Sequence, residues 1–413
     1  MKKCIIFILI IFVSSITFGE ILDIHKVIEI GLENSYDMSY QNYNLQTSKQ
    51  NLNSSYLTLL PSAQYSISNT ETKNSSVKTG SISFSESISS NDWRYFDIKK
   101  SLSTLRKKKI DFQYNRNQII YDIIYAYLNV LRNIQLLELA RQQVEISKRD
   151  LEGTEILFSF GKSSELDLQN VKINLLKAQV DSLEARDNLE KSKMDLCFMI
   201  NIEYDENYTF KEFEYDFIEP DDFVFSEENN LEIASEIENL KQAKINYNKN
   251  KLKFIPYLEF SINKSLYWNK GNIFDFDNSS SPTNYKLSLN YPIFSLLTNY
   301  PKNRTSNYNL EIQKLSLEQT KQKKKHEFDF LLTDFKQSKE ILKLTEKQEA
   351  LERVRFDLVT EQYRLGLVDI NGLEKSRTGL FEKTQNRINK HFDLILRQEQ
   401  LNLICNNKIL KKY

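Results

Sequence analysis

Tyr363-Arg364-Leu365-Gly366-Leu367-Val368-Asp369-Ile370-Asn371-Gly372-Leu373 has an earlier counterpart in Phe158-Ser159-Phe160-Gly161-Lys162-Ser163-Ser164-Glu165-Leu166-Asp167-Leu168. The two glycines stand 205 residues apart (161 to 366). At that offset, without a gap, Leu168, Leu175, Leu189 and Leu196 fall on Leu373, Leu380, Leu394 and Leu401, and the interruption at Ser182 falls on Arg387. Further upstream Leu60-Pro61 recurs as Ile255-Pro256, so the second copy carries about ten extra residues in between. A repeat of roughly 200 residues is too long for a solenoid unit and reads as a duplicated domain whose halves pack together.

Around each glycine the apolar residues keep a seven-residue beat. It runs Ile123, Val130, Leu137, Val144, Leu151 and Phe158 in the first copy. In the second it runs Phe328, Phe335 and Leu342, breaks at Glu349, and resumes at Phe356 and Tyr363. No proline occurs between Ser62 and Glu219 or after Pro301, which leaves both stretches free to be helical. A sustained heptad predicts antiparallel helices in coiled-coil packing, with Gly161 and Gly366 at the turns. The helix from about Trp93 to Phe160 would be roughly 100 Å long and its return roughly 55 Å, too long for an ordinary globular core.

Four segments switch to a period of two. Ala63, Tyr65 and Ile67 alternate with Gln64, Ser66 and Ser68, and Ile82, Phe84 and Ile88 alternate with serines. In the second copy Leu258, Phe260, Ile262, Leu266 and Trp268, and then Leu287, Leu289, Tyr291 and Ile293, do the same. Each copy thus carries a hairpin of strands roughly 9 to 11 residues long with one apolar and one polar face, which suits an outer-membrane strand or the edge of a soluble sandwich. Glu86 and Lys264 interrupt the apolar rows and are expected near an interface if these strands meet lipid. Four strands cannot close a barrel, and an open edge in lipid leaves backbone groups unsatisfied, so a spanning chain must oligomerise.

The chain opens with Lys2 and Lys3, an apolar run from Cys4 to Val13 and small or polar residues to Gly19, a secretory signal peptide over 1–19. Residues 20–215 form the first repeat, with a helix, a hairpin at about 61–90 and a long helical hairpin at about 93–200. Residues 216–413 form the second, with its hairpins at about 256–293 and 296–405. Among 413 residues, 56 basic and 56 acidic side chains balance, which gives no reason to expect nucleic acid. Cys197 and Cys405 end apolar helical stretches at nearly equivalent places and read as buried free thiols. His25, His326 and His391 stand apart, and no nucleophile elbow, phosphate loop or CxxC occurs, so neither an enzyme nor a metal or cofactor site is expected.

Signal, duplicated strand and helix hairpins, Ala126-Tyr127-Leu128-Asn129-Val130-Leu131, Phe158-x-x-Gly161 and Tyr363-Arg364-Leu365-Gly366-Leu367 together resemble the TolC family of outer membrane efflux proteins. The resemblance implies a mainly α fold with a β-barrel part, assembled as a homotrimer. Three copies form a twelve-stranded β-barrel in the outer membrane, continuous with a twelve-helix α-barrel across the periplasm. It implies a passive conduit serving a tripartite efflux pump or a type I secretion system. Its partners are outer membrane lipid, a periplasmic adaptor and, through the adaptor, an inner-membrane pump or ABC transporter.

The adaptor-docking tip then falls on Gly161, Lys162, Gly366 and Leu367. The periplasmic gate falls on Asp167 and Tyr363, a hydrogen-bonding pair in the family, and on Val368 and Leu166, where a basic residue and a hydroxyl respectively are replaced by apolar ones. The family's constricting aspartates fall on Gly372 and Lys375, with Asp369 and Glu374 nearby as alternative sources of charge or as solvated helix residues. The competing reading is an exported periplasmic coiled-coil adaptor or scaffold that never spans the membrane.

Overall fold

The computed structural model describes residues 21–72, 75–90, 92–213, 215–269, 282–291 and 293–407. The expected signal peptide lies outside them. After a two-residue strand β1 (Ile21–Leu22) come helices α1 (Ile24–Asn34) and α2 (Tyr36–Leu57). Strands β2 (Ser62–Thr72) and β3 (Ser75–Ser89) follow, and then α3 (Trp93–Ser159) and α4 (Glu165–Met199). After a short strand β4 (Thr209–Phe210) the order recurs: α5 (Leu231–Leu252), β5 (Tyr257–Asn269), β6 (Thr283–Asn290), α6 (Ser295–Arg364) and α7 (Ile370–Ile404).

Local chemistry sets the helix ends. Ser35 and Asn230 cap α2 and α5, each 22 residues long, through side-chain oxygens that accept the first free backbone N–H groups. At the far ends of α4 and α7, Asn201 and Asn406 take φ of 54° and 52°. Ile202 N–H then donates to the Cys197 carbonyl and Asn407 N–H to the Asn402 carbonyl. Asparagine tolerates this left-handed conformation better than most side chains.

The strands form one antiparallel sheet in the order β2-β3-β5-β6. Its register joins Tyr65 to Ile82, Ile88 to Phe260 and Leu258 to Leu289, so the apolar rows share a face. On the other face the Ser62 and Ser66 hydroxyls lie 2.6 and 2.7 Å from those of Ser85 and Ser81. The strand lengths depart from the sequence reading. β3 and β5, paired on both sides, reach 15 and 13 residues, whereas β6 has 8 and stops at Asn290 instead of running through Ile293. Pro292, which has no N–H to give a ladder, stands in the segment beyond.

Glu86 lies in the apolar row but at the base of the sheet, where Arg94 meets it at 2.9 Å. The same guanidinium donates to the Thr58 and Ser87 carbonyls, tying the sheet to the start of α3.

The main core sits at mid-length. Ile123, Ile124, Tyr127, Val130 and Leu131 of α3 pack with residues of α1, α4 and α7. Tyr127 is fully buried, and its one hydroxyl proton lies between the carbonyls of Lys211 at 2.7 Å and Leu22 at 3.0 Å, which pins β1 and its parallel partner β4 against the bundle. This short parallel pair has no counterpart in the sequence reading, because two residues per strand carry no period.

The break in the heptad at Glu349 has a partner. Its buried carboxylate accepts from Thr384 at 3.1 Å and from Arg387, the residue that interrupts the beat on the returning helix. Cys197 and Cys405 are buried and free, and burial pushes the Cys405 thiol up to about 11.

Candidate functional site: the glycine-turned ends of the long hairpins

α3 and α6 end in the same way. Gly161 and Gly366 take φ of 69° and 73°. Lys162 N–H reaches back to the Leu157 carbonyl and Leu367 N–H to the Gln362 carbonyl, both at 2.9 Å, so the last free carbonyls are satisfied. A left-handed residue with a Cβ costs about 1–2 kcal/mol, which glycine avoids. A Cβ at either position would meet nothing within 4 Å, so backbone conformation and not crowding requires glycine here.

The return helices are capped from the same turns. Ser164 Oγ accepts from Asp167 N–H at 3.1 Å while Asp167 Oδ2 accepts from Ser164 N–H at 3.2 Å, a reciprocal capping box. Asp369 Oδ1 accepts from Gly372 N–H at 2.9 Å. The turns leave Phe160, Leu365 and Leu367 more than 70% exposed, an apolar end with Lys162 beside it.

Each sequence-derived gate residue has a definite place. Asp167 is engaged by Ser164, and no hydrogen bond joins it to Tyr363 within the chain. The Tyr363 ring packs instead on a small cluster of Val171, Ile370 and Leu373. Burial, and after it the charges of Asp150 and Asp167, push its hydroxyl pKa upward. Leu166 is exposed. Val368 covers Gly372, where a Cβ would stand 2.4 Å from Val368 Cγ1, so an aspartate cannot replace this glycine without displacing Val368. Lys375 is exposed.

Glu374 is not a solvated helix residue. Its carboxylate lies 2.6 Å from Arg377, which is 3% exposed and also pairs with Asp150 of α3. Burial raises the Glu374 pKa, and the Arg377 charge opposes that rise. The Asp150–Arg377 link between the two hairpins escaped the sequence reading. Its signal is numerical: Asp150 precedes Gly161 by eleven residues and Arg377 follows Gly366 by eleven, which puts opposite charges at one level.

Residues 27–201 match the family model for outer membrane efflux proteins. No curated protein matches the sequence. The chain is similar in structure to the CmeC outer membrane channel of Campylobacter jejuni, at 16% identity and TM-score 0.79, over 94% of this chain and 87% of that one. The outer membrane protein VceC of Vibrio cholerae aligns at 13% identity and TM-score 0.82, over 94% of this chain and 96% of its own. The MtrE outer membrane channel of Neisseria gonorrhoeae, in its open state, aligns at 15% and 0.79, over 93% and 89%.

The mainly helical fold, with its small sheet at one end and glycine turns at the other, is therefore that of outer membrane efflux channels. Residues 27–201 are similar to the outer membrane efflux protein family and the whole chain has the fold of its channels, which favours the channel reading over that of a periplasmic adaptor.

Proposed function

We propose that three copies of this chain close into one channel, a twelve-stranded barrel in the outer membrane continued by a twelve-helix tunnel. It serves as the passive exit duct of a tripartite efflux pump or a type I secretion system. The observation that carries this reading is the sheet: β2 and β6 each pair on one side only, and the face they share exposes Tyr65, Ile67, Phe84, Leu287 and Leu289. Unpaired edges and an apolar face are costly in water and intolerable in lipid unless neighbouring copies close the ring. Four strands per chain make three copies sufficient for a barrel wide enough to leave a lumen.

In this reading residues 20–215 and 216–413 act as two structural repeats, each contributing half of the subunit's wall. A periplasmic adaptor docks on Gly161, Lys162, Gly366 and Leu367, where exposed apolar side chains await a partner, and the inner-membrane pump or ABC transporter is reached through it. Asp167, Tyr363, Leu166, Val368, Asp369 and Glu374 lie at the level where the hairpins must part for the duct to open. Within a chain, the Arg377–Asp150 pair and the Asn170–Asn371 hydrogen bond tie the hairpins there.

Native mass measurement of the detergent-extracted protein, paired with conductance in planar bilayers, tests the reading. A trimer that conducts is expected; a water-soluble monomer without conductance refutes it.

A further inference from the structure

The chain is neutral overall, but its charge is unevenly placed. In the helical spans next to the sheet, residues 45–57, 93–109, 239–253 and 295–310, fifteen lysines and arginines stand against one acid, Asp97. The remaining residues hold 41 basic and 55 acidic side chains. A collar of one sign repels itself, which opposes its assembly unless opposite charge lies against it.

The collar has two sides. Lys249 and Lys253 of α5 and Trp93 of α3 line a cavity against Ser87, Ser261 and Asn263, on the serine face of the sheet, and the Lys249 ammonium stands 5.3 Å from the centre of the Trp93 ring. Two residues along a helix turn a side chain through about 200°. Tyr95 and Lys251, each two residues from one of that pair, therefore stand on the opposite side, that of the apolar rows. Lys99 and Arg106 follow Tyr95 by 4 and 11 residues, Lys109 stands three beyond Arg106, and Lys244 precedes Lys251 by seven, so all share this outer side. Every one of them is exposed. Among the described residues no ion pair engages Lys99, Lys244, Lys251, Arg106 or Lys109.

Their levels follow from the Asp97–Lys249 ion pair at 2.6 Å, which joins α3 to α5 just below the sheet. At about 1.5 Å per residue, Lys251 stands about 3 Å above that pair, Lys99 about 3 Å below it and Lys244 about 7 Å below, with Arg106 and Lys109 about 13 and 18 Å below. The Lys99 ammonium lies 4.3 Å from the centre of the Tyr95 ring, so an exposed tyrosine and its cation share the upper tier. Above them the sheet leaves Ile88 and Leu258 exposed. Downward from the sheet the outer side thus passes from apolar to aromatic to basic, the order that fits hydrocarbon, interface and charged headgroups.

We propose that the upper tier of this collar, Lys99, Lys244 and Lys251 beside Tyr95, binds anionic phospholipid in the leaflet that faces the periplasm. Charge complementarity selects the occupant. The phosphodiester of a zwitterionic lipid is offset by the lipid's own ammonium group, so preference for a net negative headgroup is the signature. Arg106 lies about 10 Å below Lys99, beyond the roughly 8 Å over which charge is felt at physiological salt, so the lower tier contributes little. The proposal rests on the channel reading and adds to it the class of lipid that the wall holds.

The test is native mass measurement of the full chain extracted in detergent, with phosphatidylglycerol or phosphatidylcholine added. Trimer mass and planar-bilayer conductance are recorded first. The trimer should retain phosphatidylglycerol over phosphatidylcholine by about tenfold at low salt, and the preference should fall as salt rises. This comparison needs no variant. Lys99→Gln/Lys244→Gln/Lys251→Gln should reduce the preference to about twofold or less, whereas arginine at the same three positions should keep it and Arg106→Gln/Lys109→Gln should leave most of it. A conducting trimer that retains the two lipids equally, or that loses its preference equally in the upper-tier and lower-tier variants, overturns the proposal and leaves the channel reading standing. So does a trimer without lipid preference that sediments with isolated peptidoglycan through Arg106 and Lys109, which makes the cell wall the partner. A native monomer without conductance overturns both.

Discussion

Arg377 is the most informative residue to remove. Its guanidinium is 3% exposed and serves Asp150 on α3 and Glu374 on α7, whose side chains retain 21% and 17% exposure. Taking away one partner of a buried ion pair costs about 3–5 kcal/mol because the remaining charge is stranded. With both carboxylates partly wet, the lower end applies, about 3 kcal/mol, for Arg377→Met. That is roughly two powers of ten in local opening, readable as amide hydrogen exchange in the first turns of α7.

The pH response has a definite sign. The Glu374 pKa is already above its ordinary value, and loss of Arg377 removes the charge that holds it down. A carboxyl with a higher pKa folded than unfolded binds more protons in the folded state, so the folded state gains stability as pH falls through the folded pKa toward the ordinary glutamate value. The deficit of Arg377→Met should therefore be largest at neutral pH and shrink on acidification, and adding Glu374→Gln should recover part of it at neutral pH. A deficit below about 0.5 kcal/mol, the range of ordinary surface substitutions, or one unchanged by acid and by Glu374→Gln, would refute the link.

At the tip, Gly366→Val should cost at least the 1–2 kcal/mol of a left-handed L-residue. Gly366→Asn should cost clearly less, since Asn201 and Asn406 already hold that conformation; thermal melts of the detergent-extracted protein compare the two. If Gly366→Asn keeps the trimer and its conductance but lowers adaptor cross-linking, the turn is a docking surface as well as a bend. His391 packs edge-on against Phe217 and Phe392, and burial, with Arg387 adding to it, depresses its pKa. Its stabilising contribution is complete above the ordinary histidine value near 6.5 and is lost as pH falls through the lowered folded value. His391→Gln should flatten that part of the stability profile, measured by denaturant titration at a series of pH values. In the sheet, Ile262 and Leu289 lie on the apolar face but toward its base, level with Glu86 and Leu258, so Ile262→Lys and Leu289→Lys should each cost less than the about 2–4 kcal/mol of a midplane lysine. Ser261→Lys and Ser288→Lys should be tolerated, and trimer yield after extraction distinguishes the faces.

The sequence by itself determined everything local and everything periodic. A seven-residue beat interrupted by Gly161 and Gly366 dictates long antiparallel helices, because only a glycine meets the left-handed turn without strain. The two-residue beat from Ala63 and from Leu258 dictates strands with one apolar face. The repeated order of these patterns was sufficient for the family resemblance. Tertiary structure decided what non-periodic residues do where their partners are distant in sequence: Asp150 meets Arg377 only because the hairpins pack. Asp167 is held by Ser164, three residues back, in a capping box that is local in sequence, while Glu374, read as solvated or as a source of charge, is partly buried beside Arg377. Glu349 breaks its heptad because Arg387 waits on the returning helix, and Glu86 is accommodated because the fold brings Arg94 to the base of the sheet. Only the packed row of helices shows which apolar side chains of α4 and α6 the chain buries for itself and which it leaves exposed.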